Sequence, residues 1–392
     1  MQDVFLIESL RTPFASFGGQ LAGVAAPELA AAVINGLLKQ SALTPETIDE
    51  VIIGQVLQAG SGQAPARQAL RFAGLPDTTP AMTINKVCGS GLKAMMLAAD
   101  AIRLGRSQLV IAGGMENMSL SPYALPAARY GMRMGNSEAV DLLLHDALRD
   151  PYTGRHMGEV TEALIAEYGL DRATQDAYAI RSYQRAQQAV TNGLFNAEIV
   201  PVVITSRTVE KTIDADEEPF RVKFDKISSL QPVFARAGTI TAANASTISD
   251  GAALGLLADA EAVARYNLTP KARLLAYTSH SIHPDRFAAA PIGAIEKVCA
   301  LAGVAVGSVD LFEINEAFAA VPLMAIKKLD LDPDKVNVNG GAVALGHPVG
   351  ASGGRLVTTV VNEMQRRQVR YGLATLCIGG GEAVAALFER VS

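Results

Sequence analysis

Short runs of β-branched and small apolar residues alternate along this chain with longer stretches in which Ala, Leu and Met return at three- and four-residue spacing. That alternation predicts strands joined by helices. The first strand begins at Val4. Residues 82–87 read as extended and lead through Cys88 and a Gly-Ser-Gly turn into a helix pattern, a short Arg-containing turn and an apolar strand over 109–116. The same grammar returns near the C-terminus. Residues 336–339 read as extended, a glycine-dense loop over 339–354 holds His347, a helix pattern follows, and an apolar strand from Leu373 ends on Cys377 and three glycines. The two halves look like duplicates, and their alternation predicts mostly parallel α/β sheets. Between them, residues 119–249 are less regular, with Pro122, Pro126, Gly131, Gly135 and Pro151, one helical segment over 158–192 and a charged tract over 210–226. An excursion of that length from a repeating scaffold is more often functional than filler.

The pattern places Cys88 where a helix starts. Free backbone N–H groups and the positive end of the helix dipole favour thiolate there, which makes the sulfur a nucleophile. The competing reading is a buried structural cysteine, the commoner fate of the residue. His347 supplies what an activated thiol needs, an imidazole that can take the proton. Cys377 is a second thiol at a strand end and calls for a second role. Cys299 reads as core, because Ile295, Val298, Cys299 and Ala302 recur at helical spacing.

Composition narrows the classes. With 392 residues the chain is long enough for two or three domains and an extensive core, and 49% hydrophobic with 19% charged residues fits a well-buried globular protein. A net charge of −5 argues against a polyanion binder, so no nucleic-acid partner is expected. Apolar stretches break off before the ~20 residues of a membrane span. Three cysteines without paired spacing fit a reducing compartment. The early first strand and the absence of a peroxisomal tripeptide make a cytoplasmic enzyme the expectation.

Seven strings carry a resemblance: Arg11-Thr-Pro-Phe, Val87-Cys-Gly-Ser-Gly, His156-Met-Gly, Asn244-Ala-Ser, Asn315-Glu-Ala-Phe-Ala, Gly346-His-Pro and Cys377-Ile-Gly-Gly-Gly. In this order, over nearly the whole chain, they resemble the thiolase family, which includes acetyl-CoA acetyltransferases and 3-ketoacyl-CoA thiolases. The resemblance implies a duplicated α/β thiolase fold of five layers, αβαβα, with an inserted loop domain. The expected boundaries are 1–118 for the first half, completed by 249–270, then 119–248 for a loop domain covering coenzyme A, and 271–392 for the second half. It also implies reversible condensation of two acetyl-CoA to acetoacetyl-CoA and coenzyme A through an acyl-cysteine. Acyl-CoA and coenzyme A would be the partners as substrates, with no permanently bound cofactor or metal, in a homo-oligomer of two or four chains.

By the same resemblance Cys88 is the nucleophile, His347 its proton acceptor and Cys377 the base that removes an α-proton. His347 and a water held by Asn315 would stabilise the enolate, and the backbone N–H groups of Cys88 and Gly379 the second oxyanion. His156, Met157, Arg221, Ser246, Ala317 and Phe318 fall at expected substrate contacts. Arg207, Lys211, Lys223 and Lys226 are further candidates for the phosphates, although Glu210, Asp214, Asp216, Glu217 and Glu218 interleave with them as on any solvated surface. Taken singly, His347 could be a loop histidine, Cys377 a small strand-end filler and Asn315 a helix cap.

Two departures stand out. Thr247 occupies a usual glycine position beside Ser246, and Phe287-Ala288 replaces a usual Met-Gly pair near the expected acyl pocket, which leaves chain length open. His280 and His283 form too sparse a set for a metal. The rival classes are a degradative thiolase for longer chains, a non-catalytic acyl-CoA carrier, a ketosynthase-type enzyme, which Cys377 disfavours, and a dinucleotide oxidoreductase, for which no G-x-G-x-x-G follows the first strand.

Overall fold

The computed structural model describes residues 2–205 and 210–391, so Arg207 lies outside the described residues. The first half runs β1 (Phe5–Arg11), β2 (Ala15–Ser16), α1 (Ala26–Gln40), β3 (Glu50–Gly54), α2 (Pro65–Phe72), β4 (Ala81–Ile84), α3 (Ser90–Arg103) and β5 (Leu109–Asn117). The excursion holds β6 (Tyr123–Ala124) paired with β7 (Val140–Asp141), helices α4 (Met157–Ile165) and α5 (Arg172–Thr191), and β8 (Val202–Thr205) paired with β9 (Glu210–Ile213). The chain returns through β10 (Ser249–Ala258) and α6 (Ala260–Arg265). The second half then runs β11 (Ala272–Ser281), α7 (Ala290–Ala302), β12 (Leu311–Ile314), α8 (Ala320–Leu329), α9 (Ala342–Leu345), α10 (Ser352–Arg367), β13 (Tyr371–Ile378) and β14 (Glu382–Arg390).

Three apolar clusters define five layers. Leu29, Val33, Ile34 and Leu37 of α1 and Leu70 of α2 pack on Val51, Ile53, Ile111 and Leu254 of the first half's sheet. Ile295, Val298 and Cys299 of α7 and Met324 of α8 pack on Phe312, Leu373, Ala385 and Leu387 of the second. Between the sheets lie α3 and α10, whose Leu92, Met95, Leu356 and Val360 meet Ile52 and Val110 on one side and Leu376 and Val384 on the other. Cys299 is core, as its spacing predicts.

Among the described residues the sheet order is β12-β13-β14-β11-β1-β10-β5-β3-β4, with β2 on β10. Only Phe5↔Arg273 and Leu6↔Ala272 join β1 to β11, so each half keeps a sheet of its own. The expectation of mostly parallel pairing needs correction. Pairing is parallel for β3–β4, β3–β5 and β12–β13 and antiparallel for the remaining neighbours. Helical crossovers produce the parallel pairs, whereas the glycine turn between β13 and β14, with Gly380 and Gly381 at φ 92 and 87, makes a hairpin.

Two further expectations change. The helical segment over 158–192 is two helices, because Gly169 at φ 58 stops the first and Asp171 caps the second by accepting from the Thr174 N–H at 2.7 Å. Residues 336–339 form isolated bridges and no strand. Asn337, at φ 48, instead uses its side-chain amide as a strand would use its backbone, accepting from Ile314 N–H and donating to Ile314 O, both at 2.8 Å.

The duplicated Gly-Ser-Gly and Ser-Gly-Gly strings have a shared cause. The N-termini of α3 and α10 meet backbone to backbone across the middle layer. A Cβ on Gly353 would fall 2.3 Å from the Leu92 nitrogen, and one on Gly114 would fall 1.8 Å from the Gly350 oxygen. No rotamer change relieves a clash with backbone. Gly114→Ala is therefore expected to lower the unfolding free energy by at least about 3 kcal/mol. Guanidinium unfolding checks this, and an unchanged midpoint would show that the loop before α10 draws freely away from β5.

Candidate active site

That close approach has a chemical consequence, because Cys88 lies just before α3 and His347 just before α10. Both open onto one cavity of about 540 Å³. Cys377 from the end of β13 and Gly379 from the following turn line it too, as do His156, Met157, Arg221, Ser246, Ala317 and Phe318. Of the residues singled out from the sequence, Asn315 alone is set behind the wall. It is fully buried, and its Nδ2 lies 3.3 Å from His347 Nε2. Its Oδ1 takes no hydrogen bond from the protein. The rest of the lining is largely apolar, including Met118, Leu148, Phe234, Ile248, Phe287 and Val349.

The electrostatics differ from the helix-dipole expectation. Cys88 is half-buried where it opens onto the cavity, and desolvation by the protein around its sulfur pushes its thiol up to about 11. The N–H groups of Gly379 and of Cys88 itself act on the sulfur in the opposite sense, but less strongly. Glu116, buried nearby, adds to the upward shift. Burial, with Cys88 as neighbour, raises the Cys377 thiol further still. His347 is held down to about 3 by burial first and then by the Arg355 guanidinium. The empty site thus rests as two neutral thiols and a neutral imidazole, because a charge in so apolar an enclosure lacks the hydration that would stabilise it.

His347 is held from three sides. Its backbone N–H donates to Thr247 O at 3.0 Å, its Nδ1 lies 2.5 Å from Ser352 Oγ, and Asn315 packs against the ring. The Ser352 hydroxyl donates to Pro348 O at 3.0 Å, so its oxygen accepts the Nδ1 proton and leaves Nε2 unprotonated, with the Asn315 amide 3.3 Å away. Glu116 ties the loops around the cysteine together, accepting from the N–H groups of Val56, Leu57 and Gly350 at 3.0, 3.2 and 3.0 Å.

At the outer wall, His156 caps α4 by accepting from Gly158 N–H and stacks on Phe234 with centroids 4.6 Å apart. Burial lowers its pKa. Ser246 gives its N–H and its hydroxyl to Ala317 O, both at 3.0 Å, which leaves its lone pairs free to accept. Thr247 is not among the residues with positive φ, so this turn does not require glycine. Of the described basic candidates only Arg221 lines the cavity, bonded to Ser16 Oγ at 2.6 Å and paired with Glu217 at 3.3 Å. Lys211, Lys223 and Lys226 are exposed and do not line it. Among the described residues no three or more His, Cys, Asp or Glu side chains gather as metal ligands would. No described helix is long and apolar enough to cross a membrane.

Sequence reasoning missed Phe234, Ser352 and Glu116. Phe234 sits in irregular chain with no periodicity to mark it. Glu116 had a signal: an acidic residue inside an otherwise apolar strand.

Comparison with known proteins now decides the family. The description "Thiolase, N-terminal domain" matches residues 4–261, and "Thiolase, C-terminal domain" matches residues 268–390. This chain belongs to the thiolase family. A thiolase-family relative from Chromobacterium violaceum, named acetyl-CoA acetyltransferase, is 50% identical over 390 residues, 99% of this chain and 100% of the relative. One of the same name from Pseudomonas aeruginosa is 48% identical over 392 residues, the full length of both. The crystal structure of the Bacillus anthracis acetyl-CoA acetyltransferase superposes with a TM-score of 0.97 at 40% identity, covering 100% of this chain and 99% of that one.

With the free thiol near 11, alkylation of Cys88 by iodoacetamide should keep accelerating from pH 8 towards pH 11. Mass spectrometry of the labelled protein follows it. A rate that levels off by pH 7 would instead mean that a thiolate–imidazolium pair already exists in the free protein.

Proposed function

We propose that this thiolase-family chain condenses two acetyl-CoA to acetoacetyl-CoA and coenzyme A, and runs the reverse thiolysis, through an acyl group held on Cys88. The observation that carries the reading is the convergence of Cys88, Cys377 and His347 on one cavity, with the Gly379 N–H aimed at the Cys88 sulfur. Relatives named acetyl-CoA acetyltransferase over the full length support the substrate.

The chemistry follows from the resting charges. His347 Nε2 takes the Cys88 proton as the sulfur attacks the acetyl carbonyl, so thiolate exists only while it reacts. The tetrahedral oxyanion would form between the N–H groups of Cys88 and Gly379, donors already oriented towards the sulfur. The acetyl group stays on Cys88 as the first coenzyme A departs as thiolate, and His347 keeps the proton taken from the sulfur until that sulfur is released again. Cys377, made thiolate by passing its proton to that departing thiolate, then takes an α-proton from the second acetyl-CoA. The enolate oxygen would lie against His347 and the Asn315 side with its free Oδ1, where a water can bridge. Attack of the enolate carbon on the acyl-Cys88 carbonyl makes the carbon–carbon bond and returns the Cys88 sulfur. His156, Met157, Ser246, Ala317 and Phe318 would hold the pantetheine arm and Arg221 the phosphate end.

We assign residues 1–118 with 249–270 to one half, 271–392 to the other and 119–248 to the loop domain. We further infer a homo-oligomer, dimer or tetramer; Leu125, Tyr130 and Met134 of the excursion, exposed at 48%, 80% and 97%, support contact with another copy. Three free cysteines support a reducing, cytoplasmic setting with no resident cofactor required.

Cleavage of acetoacetyl-CoA beside a C8 3-ketoacyl-CoA tests the reading. A higher kcat/KM for acetoacetyl-CoA is expected; preference for C8 would move the chain to degradative work, and inactivity on both would leave a carrier. Cys88→Ala should abolish acyl transfer and keep coenzyme A binding. Cys377→Ala should still take up an acetyl group but fail to exchange the α-proton of acetyl-CoA into deuterated water; normal exchange would assign that proton to another base.

A further inference from the structure

Glu316, next to Asn315, is fully buried and lies outside the cavity lining. Four donors converge on its carboxylate. The Tyr178 hydroxyl (2.8 Å) and Asn337 Nδ2 (2.9 Å) reach Oε1, and the Ser182 hydroxyl (2.7 Å) and the Val343 N–H (3.0 Å) reach Oε2. They come from three segments. Tyr178 and Ser182 lie one turn apart on α5, Asn337 follows the loop that braces β12, and Val343 belongs to α9, the short helix that delivers His347. Gly341 leaves the room this needs, because a Cβ there would fall 2.3 Å from the Glu316 carboxyl carbon.

The packing agrees with the hydrogen bonds. Val343, Ala344 and Leu345 rest on Ala179, Tyr183 and Ala186 of α5, so the His347 loop is seated on a helix of the inserted stretch. Asn315 and His347 approach at 3.3 Å from separate segments, with no covalent link to set that spacing. Glu316 is the group that touches both supports at once, one residue from Asn315 and hydrogen-bonded to Val343, four residues before His347.

We propose that Glu316 is a positioning residue for the reaction, holding the Asn315–His347 pair in register with helix α5 through these four hydrogen bonds. The inference rests on the roles given above to Asn315 and His347. Its neutral isostere cannot serve, because Gln presents an N–H2 group where two donors already point. Small displacements of catalytic groups are costly in rate while binding surfaces elsewhere are unaffected.

The test uses the full chain carrying Glu316→Gln or Tyr178→Phe. Measured are kcat per titratable Cys88 for acetoacetyl-CoA cleavage, KM for coenzyme A, the rate of Cys88 alkylation by iodoacetamide at pH 7, and the melting temperature. Expected is a loss in kcat of about tenfold or more for Glu316→Gln and about threefold for Tyr178→Phe, with KM for coenzyme A within about twofold. Unchanged kcat per Cys88 in the folded variants, even with a lowered melting temperature, would leave Glu316 only a brace for the fold and overturn the proposal. Should Glu316→Gln not fold, Tyr178→Phe decides, since it keeps the ring and removes one hydroxyl. Wild-type protein inactive on acetoacetyl-CoA sinks the functional reading instead. Alkylation, which needs no thioester and at pH 7 draws on His347 as the nearby proton acceptor, then decides: slower labelling of both variants supports the positioning role, and an unaltered rate overturns it.

Discussion

The structure depends on the contact between the N-termini of α3 and α10. Each belongs to a different half, and each can approach the other because Gly91 and Gly353 carry no side chains to hold them apart, while Gly114, Gly350 and Gly354 let the α10 segment close against β5 and β10. Contact of backbone with backbone is stiff, since nothing in it can change rotamer. The residue just before each helix inherits that stiffness. Cys88 and His347 are more than 250 positions apart in sequence, yet they share one wall of one cavity. A duplicated fold thus produces an asymmetric site: one copy of the strand–turn–helix unit presents sulfur and the other presents imidazole.

The site that results is short of water and short of charge. Burial favours the neutral thiol and the neutral imidazole over their ions, and Arg355 adds to the effect on His347. Such a resting state avoids the cost of burying isolated ions. It also leaves the fixed donors, the N–H groups of Cys88 and Gly379, without a charge to stabilise until one develops on substrate. Under the proposed reaction this is the useful order of events, because donors that stabilise only the transient oxyanion lower the barrier without tightening the ground state.

Much of this was legible because the informative residues announce themselves. Glycine clusters mark close approach, a cysteine before a helix marks a candidate nucleophile, and seven family strings in order cover most of the chain. The layer arrangement and the meeting of Cys88, His347, Cys377 and Gly379 on one cavity needed no more than that, whereas Lys211, Lys223 and Lys226 lie away from it. What stayed hidden depends on distance in space. The thiol of Cys88 was expected to ionise easily from its place at a helix start, but desolvation by residues far along the chain outweighs the local dipole. Residues 336–339 looked extended, and only the fold shows that the Asn337 side chain does the pairing. The antiparallel pairing of β13 with β14 turned on a three-glycine turn that sequence periodicity does not report.

The inserted stretch is tied down by a different device. Arg11, at the end of β1 and fully buried, places Nε 2.7 Å from Glu198 Oε1 and Nη1 and Nη2 at 2.6 and 2.8 Å from the two oxygens of Asp216, with Phe195 over its face at 4.9 Å. Glu198 and Asp216 come from separate points of the excursion, one after α5 and one after β9. A buried guanidinium with two carboxylates adds little net stability over an apolar core of the same shape, but it penalises any arrangement in which one partner is missing by several kcal/mol. The excursion is therefore seated with both carboxylates in place or at high cost. Since α5 lies in that excursion and α9 rests on α5, the seating reaches His347 through packing and through the hydrogen bonds around Glu316. The stretch that looks least regular in sequence is thus part of the support of the site.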